Sequence, residues 1–585
     1  MNRVTNQIIS PAISRGNPGA AIRFVLDFLL VVAGVLTAVL IVRTCWYVFH
    51  SMTNTPYTDS WLLLEELRRF PSGKAGWAAL WSPYWGQRVL VARLAFLASL
   101  RLASFSTRPM ILANIAALIF MLVTLVCSST RMLFGSPRLA WAAGIAFANL
   151  VLSSLGLEVV LIPHDIISAV GYAASITAVV LFERRPVVAV LLALLATGSI
   201  TIGLLVWPIL LVEAWLLQKR PRTRWILAAL TSAMFALYLA DYTRPQSLGM
   251  GISAPLHHPL QFLRMLSLVL GGPITLHSLR LGTVAGAAGL VATGYLATTY
   301  FTARKGFAVK EDFGASSGVR TMRRSEGLPF LTACLLLVCI AASMVVGRIS
   351  PAFIAELHGA QPLPSRYLIP MMVFWGCLFA LVLARYKAAG PPRNWLATGC
   401  VGAVVLVMTF GTWSWQWRLS REWAIYFQKF DAIGSAFLAG VSDPELMSLL
   451  FTDGPKRDEL VDYMRREHLA VFAEPRARWI GVRVQEIVKA GNSNHCPAKV
   501  ARIAVVNGFR ITGEIDTGGR RTSRQTDVVI ANNAGMIVGL GRTLPAESEF
   551  LPETEFLGYA REDGDRLFMR LGDHSICESL IGPVP

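Results

Sequence analysis

Few side chains in the first 412 residues could do acid–base work. Asp59 stands in Pro56-Tyr57-Thr58-Asp59-Ser60-Trp61, just beyond the first long apolar run, and His164 and Asp165 are adjacent at the head of another, with Glu158 shortly upstream. Carboxylates so placed are candidate acids or bases. Were Asp59, Asp165 and His164 to converge, they could hold a divalent cation through oxygen and imidazole ligands. The competing role is helix capping, Asp59 for a helix over Ser60 to Arg69 and Asp165 for one beginning at Ile166. Trp77, Trp81, Tyr84, Trp85, Gln87 and Arg88 make an aromatic and amide set suited to a sugar face or a lipid headgroup. His257 and His258 lack the i,i+4 spacing that aims two imidazoles at one ion. No phosphate-cradling glycine loop, Gly-x-Ser-x-Gly elbow, Cys-x-x-Cys set or dinucleotide fingerprint stands in the expected context, which disfavours nucleotide-sugar or ATP use.

The elements that must position these residues are greasy. Of 585 residues 54% are apolar and only 15% charged, at a mean hydropathy of +0.52, which excludes an ordinary cytosolic enzyme. The net charge of +18 comes wholly from residues before Thr412, where loop charges fix orientation in a bilayer, and the tail is near neutral; nucleic acid is not an expected partner. Apolar runs of membrane-spanning length lie near Arg23 to Val48, Pro109 to Val126, Leu139 to Ser153, Ile166 to Phe182, Trp225 to Ala240, Leu281 to Tyr300, Leu328 to Val346, Leu368 to Ala384 and Trp395 to Thr412. Val187 to Leu217, interrupted at Thr197-Gly198-Ser199 and Trp207-Pro208, reads as a broken hairpin of two short helices. About eleven transmembrane helices follow. Arg and Lys concentrate in alternate loops, which predicts a cytoplasmic amino terminus, a carboxy-terminal tail outside, and a long first outer loop over residues 50–108. The first run ends Thr44-Cys45-Trp46-Tyr47-Val48 with no small-residue cleavage site, and reads as a retained anchor.

Six cysteines fall in or at the ends of apolar runs and behave as small apolar residues. Cys496 and Cys577 instead bracket short alternating segments separated by Gly, Asn and Asp turns. These predict a β-sandwich closed by one disulfide, feasible only in an oxidising compartment; a free buried pair is the alternative. The expected organisation is a transmembrane domain over 1–412, a helical connector over 413–490 and a β-sandwich-like domain over 491–585.

A long first outer loop with an Asp just after helix one, many helices, a broken hairpin and an outer carboxy-terminal domain resemble the GT-C superfamily of integral-membrane glycosyltransferases. So do the tract Tyr84-Trp85-Gly86-Gln87-Arg88-Val89-Leu90-Val91-Ala92-Arg93-Leu94, Ser365-Arg366-Tyr367 entering a late helix, and Glu467-His468-Leu469-Ala470-Val471-Phe472 before the terminal domain. The resemblance implies a bacterial inner-membrane protein that takes a sugar from a polyprenyl-phosphate carrier and attaches it to an envelope glycan or lipid. It implies that Asp59, with Asp165 as a second acid, accepts the proton of the attacking hydroxyl or holds a metal. Trp61, Trp85 and Gln87 would line the acceptor groove, and Arg348, Arg366 or Arg88 would grip the leaving phosphate bidentately. For each arginine the plainer role is a snorkelling anchor. Thr58-Asp59-Ser60 replaces the paired acids of metal-binding members, so a divalent cation stays an open expectation. The rival expectation is a secondary transporter or flippase, which should show inverted repeats and midplane charges; only Asp27 and Glu213 lie clearly inside spans and no repeat is evident. A noncatalytic scaffold is the third.

Overall fold

The structure, a computed structural model, describes residues 18–68, 76–84, 86–240, 250–274, 278–308, 327–347, 349, 365–388, 395–488, 493–516, 525–544, 553–570 and 576–581. The chain is mostly helical. Among the described residues seven helices are long and apolar enough to cross a membrane, with three shorter apolar helices beside them, so the expected eleven spans are not reproduced as eleven full-length helices.

The first, α1 (Pro18–Ser51), buries Leu30, Ala33 and Leu40 while Phe28, Val31, Val35, Val39 and Val42 stay exposed, a one-sided pattern that suits a helix facing lipid. The segment that follows contains α2 (Asp59–Leu67), α3 (Trp77–Trp81), a hairpin of β1 (Pro83–Tyr84) and β2 (Gln87–Arg88), and α4 (Leu90–Leu102). Two buried arginines organise it. Arg93, fully buried, donates to Glu66 and to the carbonyls of Leu80 and Ser82, while Arg88 donates to the carbonyls of Trp81, Tyr238 and Ala240.

Then come α5 (Arg108–Met132), α6 (Pro137–Val151), α7 (Leu157–Leu161), α8 (Ile166–Leu181), α9 (Pro186–Thr197), α10 (Val206–Leu216) and α11 (Pro221–Leu239). Proline in the first turn opens α5, α6, α9 and α11, where its missing N–H and fixed φ have no cost. The expected break between α9 and α10 is present. A Cβ on Gly203 would stand 2.2 Å from the Ala196 carbonyl oxygen, so only glycine lets the returning chain approach, and the Trp207 indole N–H ties the two arms by donating to Thr197 Oγ1 at 2.9 Å. Next are α12 (Pro259–Gly271), α13 (Leu279–Ala308), α14 (Leu328–Gly347), α15 (Leu368–Ala388) and α16 (Trp395–Ala439). The helix α12, packed on α13, lies outside the apolar runs named from the sequence.

Two expectations are corrected here. The boundary at 412/413 falls inside α16, which runs unbroken for 45 residues from the membrane part into the other body, because no Pro or Gly interrupts the helix-favouring run Trp413 to Phe430. The carboxy-terminal strands form one eight-stranded sheet instead of two packed sheets: β3 (Ser493–His495), β4 (Ala498–Val505), β5 (Gly508–Asp516), β6 (Asp527–Ala531), β7 (Ile537–Thr543), β8 (Glu553–Ala560), β9 (Arg566–Arg570) and β10 (Ile576–Leu580), in the order β3-β10-β9-β6-β7-β8-β5-β4. All neighbours are antiparallel except β3 and β10. A core exists on both faces because one side packs on helices through Val529, Leu540, Leu557 and Tyr559. The other gathers Ile511, Val528, Ile530, Phe556 and Met569 around the Cys496–Cys577 disulfide, which the structure contains.

Buried apolar residues thus divide into a core among the apolar helices, a second core joining α2, α4, the far half of α16, α17 (Gly454–Arg466) and the sheet, and a third on the sheet's other face. The candidate site lies at the seam between the first two.

Candidate active site

The residues from Met52 to Thr58 leave α1 without regular structure and are held at several points. Thr53 Oγ1 donates to Asp431 of α16 at 3.0 Å, Asn54 Nδ2 to Glu474 at 2.8 Å, and the Thr107 hydroxyl donates to the Thr53 carbonyl. Thr55 lies against Gly434 of α16, where a Cβ would stand 2.2 Å from Thr55 Oγ1. Thr58 has φ +46°, and its N–H donates to the Leu450 carbonyl at 2.9 Å. A β-branched residue in that region is strained by about 1–3 kcal/mol and persists only where its surroundings hold it.

Thr58, not Asp59, occupies the position before α2. Asp59 is the first helical residue, its side chain 42% exposed. On the facing side, Asn114 of α5 donates to the carbonyls of Val159, Val160 and Ile162, fixing the turn between α7 and α8. That turn presents His164 and Asp165. His164 Nε2 stands 3.7 Å from Asp59 Oδ2 and 3.8 Å from Asp165 Oδ1, and its Nδ1 is 3.4 Å from Thr58 Oγ1. Asp165 sits where a cap of α8 would sit, yet its side chain makes no capping hydrogen bond. It is 2% exposed, and among the described residues its Oδ2 has no hydrogen-bond partner. An unsatisfied buried carboxylate oxygen costs about 1–3 kcal/mol, so capping does not account for the residue.

Arg366, on the turn entering α15, donates through Nη1 to Glu158 Oε1 at 2.8 Å and through its backbone N–H to Oε2 at 3.1 Å. Partial burial would lower its pKa, and Glu158 outweighs this, so the guanidinium is held above its usual range and stays charged. Tyr57 lies within electrostatic reach of this pair, its hydroxyl pushed up by burial and by its hydrogen bond to Tyr426.

The expected Asp59, Glu158, His164, Asp165 and Arg366 therefore come together, with Asp165 within electrostatic reach of the other four. The Asp59–His164–Asp165 triple is arranged as two carboxylates about one imidazole; among the described residues no group of three or more His, Cys, Asp or Glu side chains is placed to hold a metal ion. Other expected residues lie elsewhere. Trp61 is fully buried, stacked on Phe451 and edge-on to Phe437, so it is core and not a groove wall. Arg88 is 3% exposed with its guanidinium taken up by backbone carbonyls, which removes it as a phosphate clamp. Gln87 lies on β2 in the same hairpin, its Oε1 buried without a partner among the described residues. Trp85 and Arg348 lie outside the described residues. The sequence reading missed Thr58, Asn114, Tyr57 and Tyr426. The lone amide of Asn114 inside a 25-residue apolar helix was the available signal. Compared with protein-family models, characterised proteins and solved structures, the chain matches none.

Proposed function

We propose that the chain is a membrane glycosyltransferase that moves a sugar from a polyprenyl-phosphate donor to an envelope glycan or lipid, working on the outer face of a bacterial cytoplasmic membrane. The observation that carries the reading is the meeting of Asp59, Glu158, His164, Asp165 and Arg366 where apolar helices join the sheet-bearing body. The loop charges support a cytoplasmic amino terminus, and the disulfide supports a periplasmic carboxy-terminal body.

In this reading the acceptor's hydroxyl oxygen attacks the anomeric carbon, the bond from that carbon to the phosphate oxygen breaks, and the polyprenyl phosphate leaves. Asp59, the most exposed acid of the Asp59–His164–Asp165 group, takes the hydroxyl proton, a step worth about 10² to 10⁴ in rate. His164 and Asp165 hold its orientation. Three carboxylates against one arginine and one histidine leave the site short of positive charge, so the anionic carrier approaches through Arg366, whose side chain is 39% exposed.

The test is reconstitution of the purified protein with labelled polyprenyl-phosphoryl hexoses and pentoses and an envelope-lipid extract, paired with glycan mass analysis of a deletion strain. Transfer by the native protein and its loss in Asp59→Asn supports the reading; flux of label across the bilayer without transfer sinks it. One observation favours the rival transporter or flippase: Glu213 of α10 is fully buried, accepts a hydrogen bond from Thr332 at 3.3 Å, and has Oε1 without a partner among the described residues. Such a carboxylate suits proton coupling. In a transporter Glu213→Gln stops flux and Asp59→Asn spares it.

A further inference from the structure

The seam holds a group of rings that the transfer step leaves without a role. Tyr57, Trp423 and Tyr426 are half-buried, whereas Phe427 and Phe430 beneath them are sealed. Tyr57 lies face to face with Phe430 at 4.4 Å between centroids, and Tyr426 meets the same ring edge-on at 4.4 Å. Trp423 lies nearly flat on Phe427 at 5.8 Å and edge-on to Tyr426 at 5.7 Å. Two buried phenyl rings thus serve as a floor for three partly open ones.

The hydroxyls of Tyr57 and Tyr426 are 3.0 Å apart. One proton is used inside that pair, so the pair keeps one O–H donor and spare lone pairs. The rings also stand beside the charged part of the site. Tyr57 is two residues from Asp59 and within electrostatic reach of Glu158 and Arg366, and Trp423, like Val160 of α7, packs against both cores.

A pyranose or furanose ring has a C–H-rich face edged by hydroxyls, and it binds where flat aromatic surface adjoins a few fixed polar groups. A sugar ester-linked to a phosphate at Arg366 would find that combination next to it. We infer that Tyr57, Trp423 and Tyr426 form the subsite for the sugar ring of the donor, a hexose or pentose joined to phosphate; this rests on the transfer reading above.

The experiment is calorimetric titration of the full-length protein in nanodiscs with short-chain polyprenyl-phosphoryl hexoses and pentoses and with the same polyprenyl phosphate lacking a sugar. The native protein is expected to bind at least one sugar-bearing carrier about tenfold more tightly than the bare one. Trp423→Leu and Tyr426→Ala should erase that ratio and leave bare-carrier affinity unchanged, while Arg366→Gln weakens both. Tyr426→Phe, which keeps the ring and its packing, should retain a preference of roughly threefold, the remainder being lost with the hydroxyl. A preference undiminished in Trp423→Leu and Tyr426→Ala, or no preference for any sugar in the native protein, overturns the subsite and leaves the transfer reading standing. A native protein that binds neither carrier overturns both.

Discussion

Arg366 grips both oxygens of the Glu158 carboxylate, one through its guanidinium and one through its own backbone N–H, across 208 positions of sequence. The carboxylate therefore sets where the arginine's backbone sits as well as where its charge points. Glu158→Gln keeps the shape and loses the charge. Because the carboxylate is 10% exposed and the arginine 39%, the stability cost should be about 1–3 kcal/mol, while under the proposed transfer reading the KM for a polyprenyl-phosphate carrier rises about tenfold with a lesser change in kcat. Steady-state kinetics beside a thermal melt separates the two.

Asp59→Asn should, under the proposed transfer reading, lower kcat by about 10² to 10⁴ with the melting midpoint unmoved, because the side chain is 42% exposed and its nearest ionisable neighbour is a histidine at 3.7 Å. An enzyme that turns over normally as the asparagine variant has its base elsewhere.

Asp165 should likewise separate stability from activity. Its buried Oδ2 has no partner among the described residues, so Asp165→Asn removes a desolvated charge and should leave stability unchanged or improve it by about 1 kcal/mol. Transfer should still fall by at least tenfold, because the carboxylate that orients His164 is gone. A large loss of stability in this variant would show that the residue is mainly structural.

The tie between the α1–α2 segment and the sheet depends on pH. Asp431 is buried between Arg476 and Arg542 at 3.1 Å and 3.0 Å. Burial pushes its carboxyl up, but the two arginines and the Thr53 hydroxyl hold it below its ordinary 3.8. The unfolded chain thus takes up the proton at higher pH than the folded one. The stabilisation is complete above about pH 4 and disappears as the pH falls through the lower folded value. Asp431→Asn should cost about 3 kcal/mol at pH 7, and the gap between variant and native melts should narrow in acid.

The disulfide closes 81 residues of chain, so Cys577→Ser should destabilise the sheet by about 4 kcal/mol. Differential scanning calorimetry with and without reductant should show the same shift in the native protein and none in the variant.

Much of this was legible from apolar periodicity and single polar residues. Runs such as Pro109 to Val126 and Leu368 to Ala384 lie within α5 and α15, and the Thr197-Gly198-Ser199 break falls where a helix must end to let its partner return. Asp59 and Asp165 stood out because acids are scarce in so greasy a stretch. The roles of Trp61 and Arg88 were not legible, since a Trp that stacks on Phe451 and one that greets a ligand read alike until the fold says what lies opposite. Nor could strand signals tell one sheet from two, because an alternating strand such as β4 fits either arrangement equally well. The continuity of α16 was hidden by the fall in hydropathy after Thr412, which changes the polarity of the helix and not its backbone.

That helix is a rod of about 68 Å at 1.5 Å per residue, more than twice the thickness of a bilayer core of about 30 Å. Its far end holds Asp431. A stiff shaft of that length carries a tilt from one end to the other, and the displacement grows with distance. Any shift among the helices is thereby delivered to the Thr53–Asp431 contact and to the chain that leads from it to Thr58.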